Sequence, residues 1–171
     1  MAAMTRLLKV TALLALAAAT MALLRWTVYL PLVCEENATR SIAILDAAED
    51  GTDAARQAAA RRAESYLRGC ECLEGTDFNI AYARGFAYRY RGDTQSAIRE
   101  FRSALAVDRR PEIYLALGLA QLDAFDRPGA MESFVAAGAF APGRLEEIPY
   151  KDIRREAKRR IRAVYGEQWV P

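Results

Sequence analysis

The 171-residue chain contains no histidine. That absence removes the commonest general base, the commonest metal ligand and the usual partner of a nucleophilic serine or cysteine. Cysteine is scarce, at three. Cys34, Cys70 and Cys72 form no Cys-x-x-Cys pair. Two thiols two residues apart on a helix point about 200° apart, which suits neither a disulfide between Cys70 and Cys72 nor a zinc site. Cys70 reads as a small packed hydrophobe and Cys72 as a surface residue; nothing in the sequence accounts for Cys34. Excess charge is lacking too: 24 Lys and Arg against 22 Asp and Glu leave a formal net charge of +2, so bulk charge implies no nucleic-acid partner. No stretch alternates in the manner of a strand, there is no P-loop, and "GFAYRYRG" lacks the preceding strand of a dinucleotide-binding loop. Glu146/Glu147 and Asp50/Asp53 read as solvated helix-end charges. The chain is expected to be no enzyme and to need no metal, cofactor or small-molecule substrate.

What the chain does have begins at its amino terminus. After a basic flank, residues 1–9 with Arg6 and Lys9, "VTALLALAAATMALL" runs from Val10 to Leu24 without a charge. Fifteen residues rise only about 22 Å, short of a hydrocarbon core of roughly 30 Å. A spanning helix therefore continues through Arg25 to Val33, with Trp26 and Tyr29 at the interface and Pro31 near the helix end. Arg25 is costly there unless its stem snorkels or a partner receives it. A cleavable signal sequence is the alternative, with Thr20 and Ala22 near a processing site. Cleavage would leave the apolar "LLRWTVYLPLV" as a new terminus, and Val33 is too large for a lipoprotein site before Cys34, so residues 10–33 are read as an uncleaved anchor. Two basic residues precede the span and one, Arg40, follows it closely, which directs the body to the outer side.

Beyond the span, "ENATRSIAILDAAED" predicts a short helix to about Glu49, capped by Asn37 or Thr39. A second helix from Asp53 to about Cys72 completes a hairpin over residues 37–75. Four more helical patterns follow from Phe78, broken at "RGD", "DRRP", "FDRPG" and "APG". The expected class is all-α.

Within them the chain repeats itself. Gly85, Ala97, Phe101 and Ala104 recur as Gly118, Ala130, Phe134 and Ala137, each thirty-three residues on (118 less 85). The small residues mark a close approach of two helices, and the phenylalanines fill the space beside it. Tyr114, Leu117, Gly118, Ala130, Phe134, Ala137 and Pro142 resemble the landmarks of the tetratricopeptide repeat, with Gln121 in place of a tyrosine; the copy with Gly85, Tyr88, Ala97, Phe101 and Ala104 is a weaker match. Counting back thirty-four gives Ala63, Leu67 and Cys70, a degenerate leading repeat. The resemblance implies repeats over residues 78–110 and 111–144, stacked into a short helical solenoid behind the degenerate hairpin and closed by a basic helix and tail over residues 145–171.

The resemblance also implies a concave face built from the first helix of each repeat, displaying Tyr82, Phe86, Arg89, Tyr90, Leu115, Leu119 and Leu122. This face would take a peptide segment or a helix of a partner protein, or be filled by the chain's own carboxy-terminal helix. The Lys, Arg and Asn residues with which family members grip a terminal carboxylate are largely missing. "PYKDIRREAKRRIRAVYG" sets Ile153, Ala157, Ile161, Val164 and Tyr165 on one side. The rest is basic, and it reads as a solvated cap or as a contact to an anionic surface through Lys151, Arg154, Arg155, Lys158, Arg159 and Arg162. The expected function is a membrane-anchored scaffold, assembly factor or accessory subunit mediating protein–protein interaction in an envelope complex. The expected site is a bacterial inner membrane, with the repeats on the periplasmic side. The alternative is a secreted or periplasmic chaperone-like holder of extended polypeptides, soluble after signal cleavage.

Overall fold

A computed structural model describes residues 2–73, 75 and 77–166, apart from the side chains of residues 2–10, 12 and 72. The side chains of Arg6, Lys9 and Cys72 and the tail after residue 166 thus lie outside the description. The described residues are helical with no strand: α1 (Ala2–Leu24), α2 (Leu30–Asp46), α3 (Asp53–Leu67), α4 (Phe78–Tyr90), α5 (Thr94–Val107), α6 (Pro111–Asp123), α7 (Arg127–Phe140) and α8 (Lys151–Tyr165).

One π-helical turn, Arg25–Tyr29, joins α1 to α2 without a break. The expected stop at Pro31 and the caps at Asn37 or Thr39 are therefore corrected. Pro31 has no N–H, and its ring would press on the carbonyl four residues back; a wider turn, in which the Leu30 N–H reaches Arg25 O, precedes it. Thr39 spends its hydroxyl on Glu35 O at 3.0 Å, as a threonine inside a helix does. The joined helix changes environment along its length. From Leu13 to Tyr29 its side chains are exposed; Leu30 packs on the core, and Cys34, Ala38, Ser41 and Leu45 are buried at three- and four-residue spacing.

From α2 onward each helix packs on the next, and α4 also touches α2 and α6. Small residues set the separations. Ala60 and Ala63 of α3 are fully buried, and the Ser41 hydroxyl reaches Ala63 O at 3.2 Å. In α4 and α6 a Cβ at Gly85 or Gly118 would land on the ring of Phe101 or Phe134, both fully buried. Caps fix the helix starts: Thr52, Asp77, Asp93 and Asp126 each accept a backbone N–H of the first turn. Helix α3 ends at Leu67, earlier than the expected Cys72, because Arg68 is extended and Gly69 has φ 90°. The turn before α5 uses Gly92 at φ 81°; the equivalent turn before α7 puts Phe125 at φ 61°.

Cys70 is buried but is no mere packed hydrophobe: it is disulfide-bonded to Cys34, thirty-six residues earlier. The bond ties the start of α2 to the segment after α3. It escaped the sequence because it depends on α2 and α3 lying antiparallel from Leu30, four residues before Cys34.

Candidate functional site

The three helices α2, α4 and α6 form one layer, and a 3₁₀ segment, Pro142–Glu147, crosses α6 at its far edge. Between α2 and that segment runs a groove. It comprises a cavity of about 320 Å³ over Tyr82 and Phe86 and another of about 610 Å³ over Tyr90, which share Glu49, Leu119 and Glu147.

The residues expected on a concave face divide into two sets. Tyr82, Phe86 and Tyr90 are half-buried in the groove floor, stacked edge to face along α4 with ring centroids 5.0 and 6.0 Å apart. Phe86 also meets Phe101 at 5.3 Å, which anchors the floor to α5. Leu115 and Leu119 are buried instead, in one cluster with Leu145 and Ile148, and Leu122 packs at its border. The part of the face on α6 is thus largely covered by the segment before α8, which packs on α6, while Leu115 and Leu119 keep an edge in the cavities. Arg89 is held: its Nε lies 2.6 Å from Asp123 Oδ2 on α6.

Electrostatics in the groove follow from burial. Tyr90 donates its hydroxyl to Leu45 O at 3.3 Å, and burial pushes its pKa up to about 12. Tyr82 is raised further, first by burial and then by the carboxylates of Asp46 and Glu112. Partial burial also raises Asp46. Arg144 on the opposite wall is fixed to Glu147 at 2.9 Å.

The basic helix packs through Ile153, Ala157 and Ile161 against α7 and Leu145. Val164 and Tyr165, expected on the same face, are exposed. Most of its charge is spent inside the chain. Arg154 and Lys158 both hold Glu146 at 2.6 Å, Arg154 also donates to Ile148 O, and Arg159 and Arg160 pair with Glu156. Lys151, Arg155 and Arg162 make no side-chain ion pair among the described residues. Glu146, read as a solvated helix-end charge, is bridged to α8 by Arg154 and Lys158, beside Leu145 and Ile148, whose burial seats the crossing segment. Its partners lie eight and twelve residues away across a turn, a spacing with no sequence signature.

Among the described residues no group of three or more Asp, Glu or Cys side chains is placed to hold a metal ion. Among the described residues one helix is long and apolar enough to cross a membrane; none of its apolar stretch is buried in the fold, a pattern that a signal sequence shares. Compared with protein-family models, curated proteins and solved structures, the chain matches none.

Proposed function

We propose that this chain is a membrane-anchored helical-repeat adaptor of the tetratricopeptide kind, without catalytic activity, that holds a segment of a partner protein in the groove over α4. The observation that carries the reading is the unbroken helix from Ala2 to Asp46: bare and apolar where a bilayer would surround it, buried where it becomes the first wall of the groove. Anchor and recognition surface are then parts of one rigid element.

The repeat assignment is supported by the glycine and phenylalanine pairs, which meet in the same way in both copies. A periplasmic position for the body is supported by the Cys34–Cys70 disulfide, since such bonds persist in oxidising compartments. The same helix weighs against a soluble holder released by processing. Cleavage near Thr20 would leave Leu24, Trp26 and Tyr29 uncovered on a new terminus.

The test is retention of the full chain and its partner in mild detergent. The anchor reading expects the chain to stay in membranes after alkaline washing and to keep Met1 or Ala2 by intact mass. The groove reading expects Tyr82→Ala with Phe86→Ala to lose the partner while the helical circular dichroism is kept. A mature start between Ala19 and Cys34 would sink the anchor, and a partner retained by the double variant would sink the groove.

A further inference from the structure

We infer that the open part of the groove selects a basic segment, seating a Lys or Arg side chain over the Tyr82 and Phe86 rings between carboxylates that have no cation of their own. This rests on the groove reading and adds the chemistry of the occupant.

The inference starts from the charges at the groove. Every arginine lining the two cavities is already held by a carboxylate: Arg56 by Asp53, Arg89 by Asp123, Arg91 by Glu64 and Arg144 by Glu147. The lip contributed by the end of α2 is different. Asp46, Glu49 and Asp50 line it and make no ion pair among the described residues. The groove therefore presents negative charge that the fold does not neutralise, and Asp46 carries part of the cost of burial without a counterion.

Beneath that lip the floor is aromatic and apolar. Tyr82 and Phe86 lie edge to face, with Ile42 and Leu115 beside them around about 320 Å³, enough for one long side chain. Among the described residues no hydrogen bond engages the Tyr82 hydroxyl, and the charges of Asp46 and Glu112 act on it. Aromatic faces attract cations, carboxylates pair with them, and an apolar floor accepts the methylene stem. An acidic segment would meet repulsion from three unpaired carboxylates, and a terminal carboxylate finds no free arginine to hold it.

Height adds a geometric condition. Asp46 is thirteen residues beyond Val33, the end of the expected span (46 less 33), about 20 Å along the helix at 1.5 Å per residue. In an anchored chain the basic segment would meet the groove on the body side of the span, at about that distance from its end.

Three soluble peptides of equal length decide the matter. Each carries one Leu in a Gly and Ser background, flanked by Arg in the first, Gln in the second and Glu in the third. Binding to the full chain in a neutral detergent is read by fluorescence anisotropy. The expected order is Arg, then Gln, then Glu, with at least about tenfold between the extremes at low salt. Asp46→Lys with Glu49→Lys changes two carboxylates that make no ion pair among the described residues and should remove or invert the preference. Phe86→Leu, which keeps apolar bulk but takes away the ring, should weaken the Arg peptide more than the Gln peptide. Equal binding of all three peptides, lost with Tyr82→Ala and Phe86→Ala, would overturn the charge selection and leave the groove standing. An Arg preference indifferent to Phe86→Leu and to the double alanine variant would place the cation outside the groove and sink the reading beneath it. A preference untouched by the lysine substitutions, or no binding of any peptide, would overturn the inference.

Discussion

A Cβ at Gly118 falls on the Phe134 ring, and Phe134 is fully buried with nowhere to retreat. Gly118→Val should therefore lower stability by about 1–3 kcal/mol in urea unfolding of the detergent-solubilised chain. Phe134→Leu should recover part of that loss by opening room for the new side chain. The reverse holds at Phe125, which sits at φ 61° where the preceding repeat has Gly92 and is 95% exposed. A side chain in that conformation costs roughly 1–2 kcal/mol, and Phe125 has little packing to lose. Phe125→Gly should stabilise the fold by about 0.5–1 kcal/mol after the extra chain entropy of glycine. The first pair was legible in the sequence because a constant spacing of small and aromatic residues marks a contact between helices. Phe125 was not legible, since a backbone sign leaves no trace when the residue there is not glycine.

At the level of elements, two ties close the ends of the array, and the sequence announced neither. The Cys34–Cys70 bond closes a loop of thirty-six residues between α2 and the end of α3, worth about 4 kcal/mol in the chain-entropy account of disulfides. Alkylation of the native chain should leave Cys34 and Cys70 unmodified until reductant is added, and Cys34→Ala should lower stability by about 2–4 kcal/mol. At the other end, hydrogen bonds from Lys158 and Arg154 hold the Glu146 carboxyl below its ordinary value of 4.5. A lowered carboxylate contributes stability above its unfolded value and loses it as pH falls through the folded one. Glu146→Gln should therefore lower the melting temperature at neutral pH, and the difference from the unsubstituted chain should vanish as pH falls below about 4.5. Helix spans between Phe78 and Phe140 were readable from caps, glycines and prolines. The long helix was not, because Pro31 reads as a stop and only the π-helical turn before it lets the chain continue.

For the whole molecule, the division of the expected concave face decides what can bind. Leu115 and Leu119 line the same cavity as Tyr82 and Phe86, but the segment before α8 leaves them almost fully buried, and the aromatic residues are the more open part of the face between it and α2. Local pattern placed the side chains on one face; which part stays open depends on a crossing seated by Leu145 and Ile148 and bridged to α8 by Glu146, contacts between elements that no local pattern records. The central claim is that the open half holds a partner while the same helix holds the membrane. The most direct measurement is photo-crosslinking in intact membranes, with the reactive residue at Asp46 on the groove lip or at Ala58 on the exposed side of α3. A discrete adduct from position 46, absent from position 58 and lost with Tyr82→Ala and Phe86→Ala, is the predicted result. Equal adducts from both positions, or an adduct at 46 that survives the double substitution, would contradict it.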